Sequence, residues 1–233
     1  MKRFYKIAES GTAPGGHVVR LDGKVVKTPM HHPLIVASAP LAAAMAAEWA
    51  AQDGNIIPVS MPLTQFASTM IDKTRGRDRR EMTQQVINYG AADMLCYFAD
   101  RPADLVARQE KHWRPLLAWM EKTEGIALET VSGIQYHHQP KEALNKIAVC
   151  IEKLDDIDFT VVQAVTGVTG SVVIALALAH GFIDADAAHK AACVDELYQL
   201  ETWGADTLAQ QRLDNIRNEL EVAVRFRDLA RES

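Results

Sequence analysis

The chain has 233 residues, 48% of them hydrophobic and 24% charged, enough to bury a core without disulfides or a structural metal. Its 25 Lys and Arg against 30 Asp and Glu leave a net charge of −5, which disfavours a uniformly basic nucleic-acid binder. Thirteen glycines and nine prolines form no tract, excluding collagen-like and low-complexity chains. Three widely spaced cysteines, Cys96, Cys150 and Cys193, cannot all pair and have no CxxC spacing, so a reducing compartment is expected. The start, MKRFYKIAES, lacks the apolar stretch of a signal peptide.

The first third reads as β structure. Asp22-Gly23 between two valine-rich runs supplies the positive-φ residues that a type I′ hairpin turn demands. In that register Leu21 faces Lys24, Val19 faces Val26 and His17 faces Thr28. Phe4 to Ile7 and Leu34 to Val36 are further candidate strands, with turns at Pro14-Gly15-Gly16 and from Pro29 to Pro33. Ser38 can cap a helix whose stripe is Leu41, Met45 and Trp49. Asp53-Gly54 stops it, and Ile56-Ile57-Pro58-Val59 reads as an edge strand because proline cannot donate to a ladder.

From Pro62 onward the pattern is helical. One helix runs through Met70 and Ile71 to Gly76, and Asp78 can cap the next, toward Tyr89. Arg101-Pro102 opens another, which Pro115 kinks or restarts and which ends near Gly125. Residues 126–139 are irregular with room for a short strand. Pro140 to Leu154 is amphipathic through Leu144, Ile147, Ala148 and Ile151. Asp158 can cap the following helix, Gly181 can end the apolar one after it, and Asp184 can cap a long helix to Trp203-Gly204. A final helix runs from about Asp206 to Leu229. The expected class is α+β: a small antiparallel β-rich domain with one helix over residues 1–62, then a helical domain over 63–233. The longest apolar run, Val161 to Ala179, is close to the ~20 residues of a membrane span. Polar residues and Gly167 and Gly170 interrupt it, so two buried helices are expected, with no membrane insertion.

Chemistry is harder to find. The pairs His31-His32 and His137-His138 lack the i, i+4 spacing of a zinc helix, and no HExxH occurs. Histidines at the surface or in loops, no metal and no cofactor are the expectation. Thr166-Gly167-Val168-Thr169-Gly170-Ser171 precedes a helix and could hold a phosphate on bare amides. It has no P-loop lysine and no preceding strand, and close packing at a helix junction explains it better. Asp155, Asp156 and Asp158 suit a helix start better than acid–base work. No GxSxG is present, and Cys96 and Cys193 sit among apolar residues as small core hydrophobes. Lys73, Arg75, Arg77, Arg79 and Arg80 could touch a few phosphates, but without interleaved aromatics they read as a solvated charge cluster and no nucleic-acid partner is expected. What remains is a helix on which Glu196, Gln199 and Trp203 share one face at i, i+3 and i+7. A tryptophan among polar residues can anchor an interface; it can equally pack into a core, with Glu196 as an exposed flank.

The ordered motifs resemble those of the ATP synthase F(1) assembly chaperones that bind the alpha subunit. They begin with Arg3-Phe4-Tyr5-Lys6, Leu21-Asp22-Gly23-Lys24 and Lys27-Thr28-Pro29. Leu41-Ala42, Glu48-Trp49, Gln52, Met61-Pro62-Leu63-Thr64 and Ile71-Asp72 follow. Further on stand Asp93-Met94-Leu95-Cys96-Tyr97, Gln109 and Trp113-Arg114-Pro115-Leu116-Leu117-Ala118-Trp119. The helical part adds Thr169-Gly170-Ser171, Ala175 to Leu178, Asp195-Glu196-Leu197-Tyr198-Gln199 and Trp203-Gly204; after that Arg212 and Arg217 stand in a charged helix like that of the bacterial branch. The resemblance implies a non-enzymatic, monomeric, bacterial cytoplasmic protein that covers free alpha subunit until the beta subunit replaces it. It marks Glu196 as a residue that matters, making Glu196, Gln199 and Trp203 the candidate partner-binding residues, with no catalytic residue expected. The competing expectation is a small-molecule enzyme that binds phosphate at residues 166–171.

Overall fold

The computed structural model describes residues 1–74, 78–204 and 206–232. The chain forms two compact units, Met1–Arg79 with Arg225–Ser233, and Arg80–Val224. A boundary at residues 62 and 63 falls inside the first unit. There the buried carboxylate of Asp72 accepts from the Thr28 hydroxyl at 2.5 Å and the Met30 amide at 3.0 Å.

In the first unit, β2 (Gly16–Leu21) is the central strand. It pairs antiparallel with β1 (Ala8–Ala13) on one edge, and with β3 (Lys24–Val25) and β4 (Ile35–Val36) on the other. Asp22 and Gly23 have φ of 47° and 79°, and Leu21 faces Lys24, as a type I′ turn requires. Strand β1 replaces the strand expected at Phe4 to Ile7. Its sequence, AESGTA, has little β propensity, and six paired positions along β2 make it a strand. Phe4 is exposed instead, and Tyr5 turns inward to donate its hydroxyl to the Trp49 carbonyl at 2.6 Å. His17 pairs with Thr12 and Val36 rather than Thr28, because the ladder toward β3 ends early. Gly16 is indispensable to this layout, since a Cβ there would sit 2.3 Å from the Val36 carbonyl oxygen.

Helix α1 (Ala39–Ala50) is capped by Ser38, whose hydroxyl accepts from the Leu41 amide at 3.1 Å. Ile56 to Val59 is no strand. Pro58 opens a 3-10 turn, Pro58–Ser60, where its fixed φ fits and no donor is needed. The buried Gln52 amide holds that turn through the Ile57 amide and the Ser60 hydroxyl. Helix α2 (Pro62–Thr69) has no cap of its own, and Glu48 of α1 accepts from the Leu63 and Thr64 amides at 2.7 and 2.9 Å. A π-helical turn, Met70–Thr74, presents Asp72. Gly76, Arg75 and Arg77, which the sequence reading placed at a helix break and in a basic cluster, lie outside the described residues.

The second unit is built on α7 (Val172–Ala179), whose eight residues are all buried. Before it come α3 (Asp78–Gly90), β5 (Tyr97–Phe98), α4 (Ala103–Glu124), β6 (Val131–Ser132), α5 (Lys141–Lys153) and α6 (Asp156–Thr169). After it come α8 (Ala185–Ala192), α9 (Val194–Trp203) and α10 (Thr207–Arg231). Strands β5 and β6 form a short parallel pair within the otherwise helical unit. Pro115 neither ends nor restarts α4. The carbonyl it leaves without a helical donor belongs to the exposed Lys111, where water can satisfy it. The cap of α6 is Asp155, which accepts from the Asp158 amide at 2.8 Å, and Asp158 lies in the first turn. No described helix is long and apolar enough to cross a membrane; the apolar run is cut at Gly170, which takes φ 70° between α6 and α7.

Candidate functional site

The long helix expected after Asp184 is two helices. At Cys193 the backbone leaves helical geometry (φ −116°, ψ 23°). The Cys193 amide still reaches the His189 carbonyl at 3.0 Å, and the Leu197 amide reaches the Cys193 carbonyl at 2.9 Å. The chain therefore turns with its hydrogen bonds kept, and α9 sets out in its own direction with Asp195 and Glu196 in its first turn, where the helix dipole favours acids.

Polar struts from α4 hold α9. Gln109, 1% exposed, accepts the Ala99 amide at 2.7 Å and donates to Asp195 Oδ1 at 2.7 Å. The Tyr198 hydroxyl donates to the Asp104 carboxylate at 3.0 Å. Arg108 pairs with Glu201 and covers the Tyr198 ring at 5.3 Å. Only Val194 of α9 is buried. Glu196 leans toward α10, with its Oε1 3.7 Å from Arg212 Nη2. Gln199 is exposed. Trp203 is 76% exposed, which overturns core packing for that side chain: it ends α9 where no neighbouring element covers it.

Glu196 and Gln199 line an open groove of about 900 Å³, with Tyr97, Asp100, Arg101 and Ile134 on other walls; Trp203 stands outside it. The sequence reading joined Glu196 with Gln199 correctly as one face but missed Ile134. The only sequence signal was an isolated apolar residue in the polar stretch Ser132-Gly133-Ile134-Gln135.

The groove is poor in reactive chemistry. Burial, reinforced by the neighbouring Glu196 carboxylate, pushes the Cys193 thiol up to about 12. Burial and Glu124 do the same for Cys150, and burial raises Cys96 further still. Such thiols stay protonated and are weak nucleophiles. Among the described residues no three His, Cys, Asp or Glu side chains converge as a metal site. His189 departs from the expectation of surface or loop histidines. It is buried in α8, its Nε2 donates to the Leu213 carbonyl at 3.1 Å, and burial together with Arg217 lowers its pKa, keeping the ring neutral.

The phosphate reading of residues 166–171 meets a direct obstacle. Thr166, Thr169 and Ser171 are buried, and the start of α7 already holds an anionic group. The carboxylate of Asp93 accepts from the Val173 amide at 3.1 Å and from the Leu95 amide at 3.1 Å. The protein supplies its own acid where a phosphate would need to bind.

Comparison with known proteins agrees with this non-catalytic picture. The sequence profile of the family described as ATP12 chaperone protein matches residues 2–121. Over 99% of this chain and 98% of theirs, two crystal structures of Atp12 from Paracoccus denitrificans superpose with a TM-score of 0.89 at 31% identity; one is a lysine-for-aspartate mutant. A chaperone candidate from Agrobacterium tumefaciens superposes with a TM-score of 0.87 at 34% identity, over 97% of this chain and 85% of its own. The chain belongs to the ATP12 chaperone family.

Proposed function

We propose that this protein is an assembly chaperone of the F-type ATP synthase, binding the unassembled alpha subunit through the outer face of α9 without chemical turnover. Subunits of a hetero-oligomeric ring carry apolar interfaces that invite aggregation or wrong pairing before assembly. A temporary partner covers such a surface and leaves when the true partner outcompetes it by mass action. Membership of a chaperone family supports the general reading. The observation that carries the site is the exposed Trp203 on the face that also presents Glu196 and Gln199, a large amphipathic side chain held out beside charged groups. On this reading the protein works as a monomer in the bacterial cytoplasm and needs no cofactor.

The test is co-purification of the chain with isolated alpha subunit, and its ability to keep alpha soluble at equimolar ratio. Glu196→Lys is expected to weaken capture at least tenfold. Its melting temperature should stay within about 2 °C of wild type, since Glu196 is partly exposed and its single ion pair is long. Equal aggregation of alpha with and without the protein overturns the proposal. A large loss of stability in the variant assigns Glu196 to the fold instead.

A further inference from the structure

The two strands of the small parallel sheet differ at their outer edges. Tyr97 pairs with Val131 and Phe98 with Ser132, and the Gly133 amide donates to the Phe98 carbonyl at 2.8 Å. In that phase of a parallel ladder Phe98 spends its main-chain groups on β6, and those of Ser132 point to the opposite side. The outer edge of β5 is closed by the protein itself. The Tyr97 amide donates back to the Met94 carbonyl, and the Ala99 amide to Gln109 Oε1 at 2.7 Å. Ser132 lies on an edge that nothing among the described residues closes, and it is exposed. Beyond it the chain continues through Ile134, which is fully exposed, and Tyr136, which is 55% exposed. Natural sheets blunt open edges with lysine, proline or a covering element. Val131 to Tyr136 has no lysine or proline and carries two bulky apolar side chains.

We infer that the outer edge of β6 is a strand-addition site: an extended segment of the client chain pairs with the main chain at Ser132 and Ile134 and lays an apolar side chain against Ile134 and Tyr136. Main-chain pairing supplies the affinity and the apolar contacts the choice of segment. The occupant must be extended and apolar, because the unpaired groups at Ser132 ask for a strand and the bare isoleucine asks for hydrocarbon. Ile134 also lines the groove that holds Glu196 and Gln199, so the edge is continuous with the α9 face. That the strand comes from the alpha subunit rests on the function proposed above. The edge is short, so pairing is limited to a few hydrogen bonds, which suits a client that must be released.

The test uses Ser132→Pro, which removes the outward donor and blocks the edge with a ring, and Ile134→Asp, which changes a fully exposed side chain and leaves the fold untouched. Binding is measured to isolated alpha subunit and, separately, to a library of hexapeptides alternating apolar and polar residues. Both variants are expected to lose at least tenfold in affinity for alpha while circular dichroism and melting temperature stay at wild-type values. If Ser132→Pro fails to fold, Ile134→Asp and backbone N-methylation of the best hexapeptide carry the test. Alpha binding undiminished in the folded variants overturns strand addition and leaves the proposed function standing. If wild type binds no alpha but binds hexapeptides in a way that Ile134→Asp and N-methylation weaken, the edge stands and the alpha assignment falls. Binding of neither probe overturns the edge as a client site. So does a wild-type dimer that Ile134→Asp dissolves, since the occupant is then a second copy of the chain.

Discussion

Replacing Gln109 tests whether the candidate surface is held by a buried polar strut. In Gln109→Leu the volume is nearly kept, so the cavity contribution is small. What is lost is an acceptor for the Ala99 amide and a donor to Asp195, both at 2.7 Å. An unpaired, largely buried amide costs about 1–3 kcal/mol, and a charge-assisted bond at a part-exposed carboxylate adds roughly 1 kcal/mol after water replaces the donor. The sum is about 3 kcal/mol, or a fall in Tm of about 6–12 °C for a unit of this size, read by urea and thermal unfolding. Gln109→Glu sharpens the test. It keeps the acceptor for Ala99 but sets a second carboxyl against Asp195, so the folded pair retains a proton that both unfolded groups release. Folded-state affinity for that proton is raised, and the added stability is lost as pH rises. Gln109→Glu should therefore approach wild type near pH 5 and fall well below it at pH 8. A loss under about 1 kcal/mol in Gln109→Leu, or an unchanged pH profile in Gln109→Glu, refutes the strut.

Two further outcomes follow from the same structure. Burial pushes the Asp93 carboxyl from 3.8 up to about 6, against donors from Ser171, Val173 and Leu95. Between those values the folded protein keeps a proton the unfolded chain has lost. Its contribution is full below about pH 4 and is lost as pH rises to about 6, a decline of up to about 3 kcal/mol. Urea titrations of wild type minus Asp93→Asn should show that decline, and a flat difference contradicts it. Trp203→Ala should change stability by less than about 0.5 kcal/mol, because the side chain is mostly in solvent; a loss above about 2 kcal/mol would mean that it packs against the fold.

Where local chemistry decides the structure, the sequence was a sufficient guide. Asp22-Gly23 set a turn and a register, Ser38 set a cap, and Gly125 in left-handed geometry (φ 67°) closed α4. It failed where a partner distant in sequence decides. Ala8 to Ala13 is a strand only because β2 pairs with it. The amides of α2 are capped by Glu48, fourteen or more residues earlier in the chain. The break at Cys193 has no glycine or proline to announce it. At the candidate site, helical periodicity placed Glu196, Gln199 and Trp203 on one face. The groove walls at Tyr97 and Ile134 arrive through the β5–β6 pairing, which two-residue strands do not signal.

The contrast between α7 and α9 explains why one chain can carry both a stable fold and a replaceable partner surface. Every residue of α7 is buried and its first turn is closed by Asp93, so any change there disturbs packing. Helix α9 buries only Val194 and is held mainly by hydrogen bonds and ion pairs whose outer members, Tyr198–Asp104 and Arg108–Glu201, face water. Such contacts fix direction while adding little stability each. The strength of the unit therefore resides in α4, α6 and α7, and the identity of side chains on the outer face of α9 is nearly independent of it. A surface of that kind can match a client without altering the scaffold. The one position where the two roles meet is Gln109, buried like a core residue yet bonded to Asp195, next to Glu196 in the chain. A substitution that preserves the fold but loosens this glutamine should lower client affinity with every exposed contact residue intact, a result that simple surface complementarity does not give.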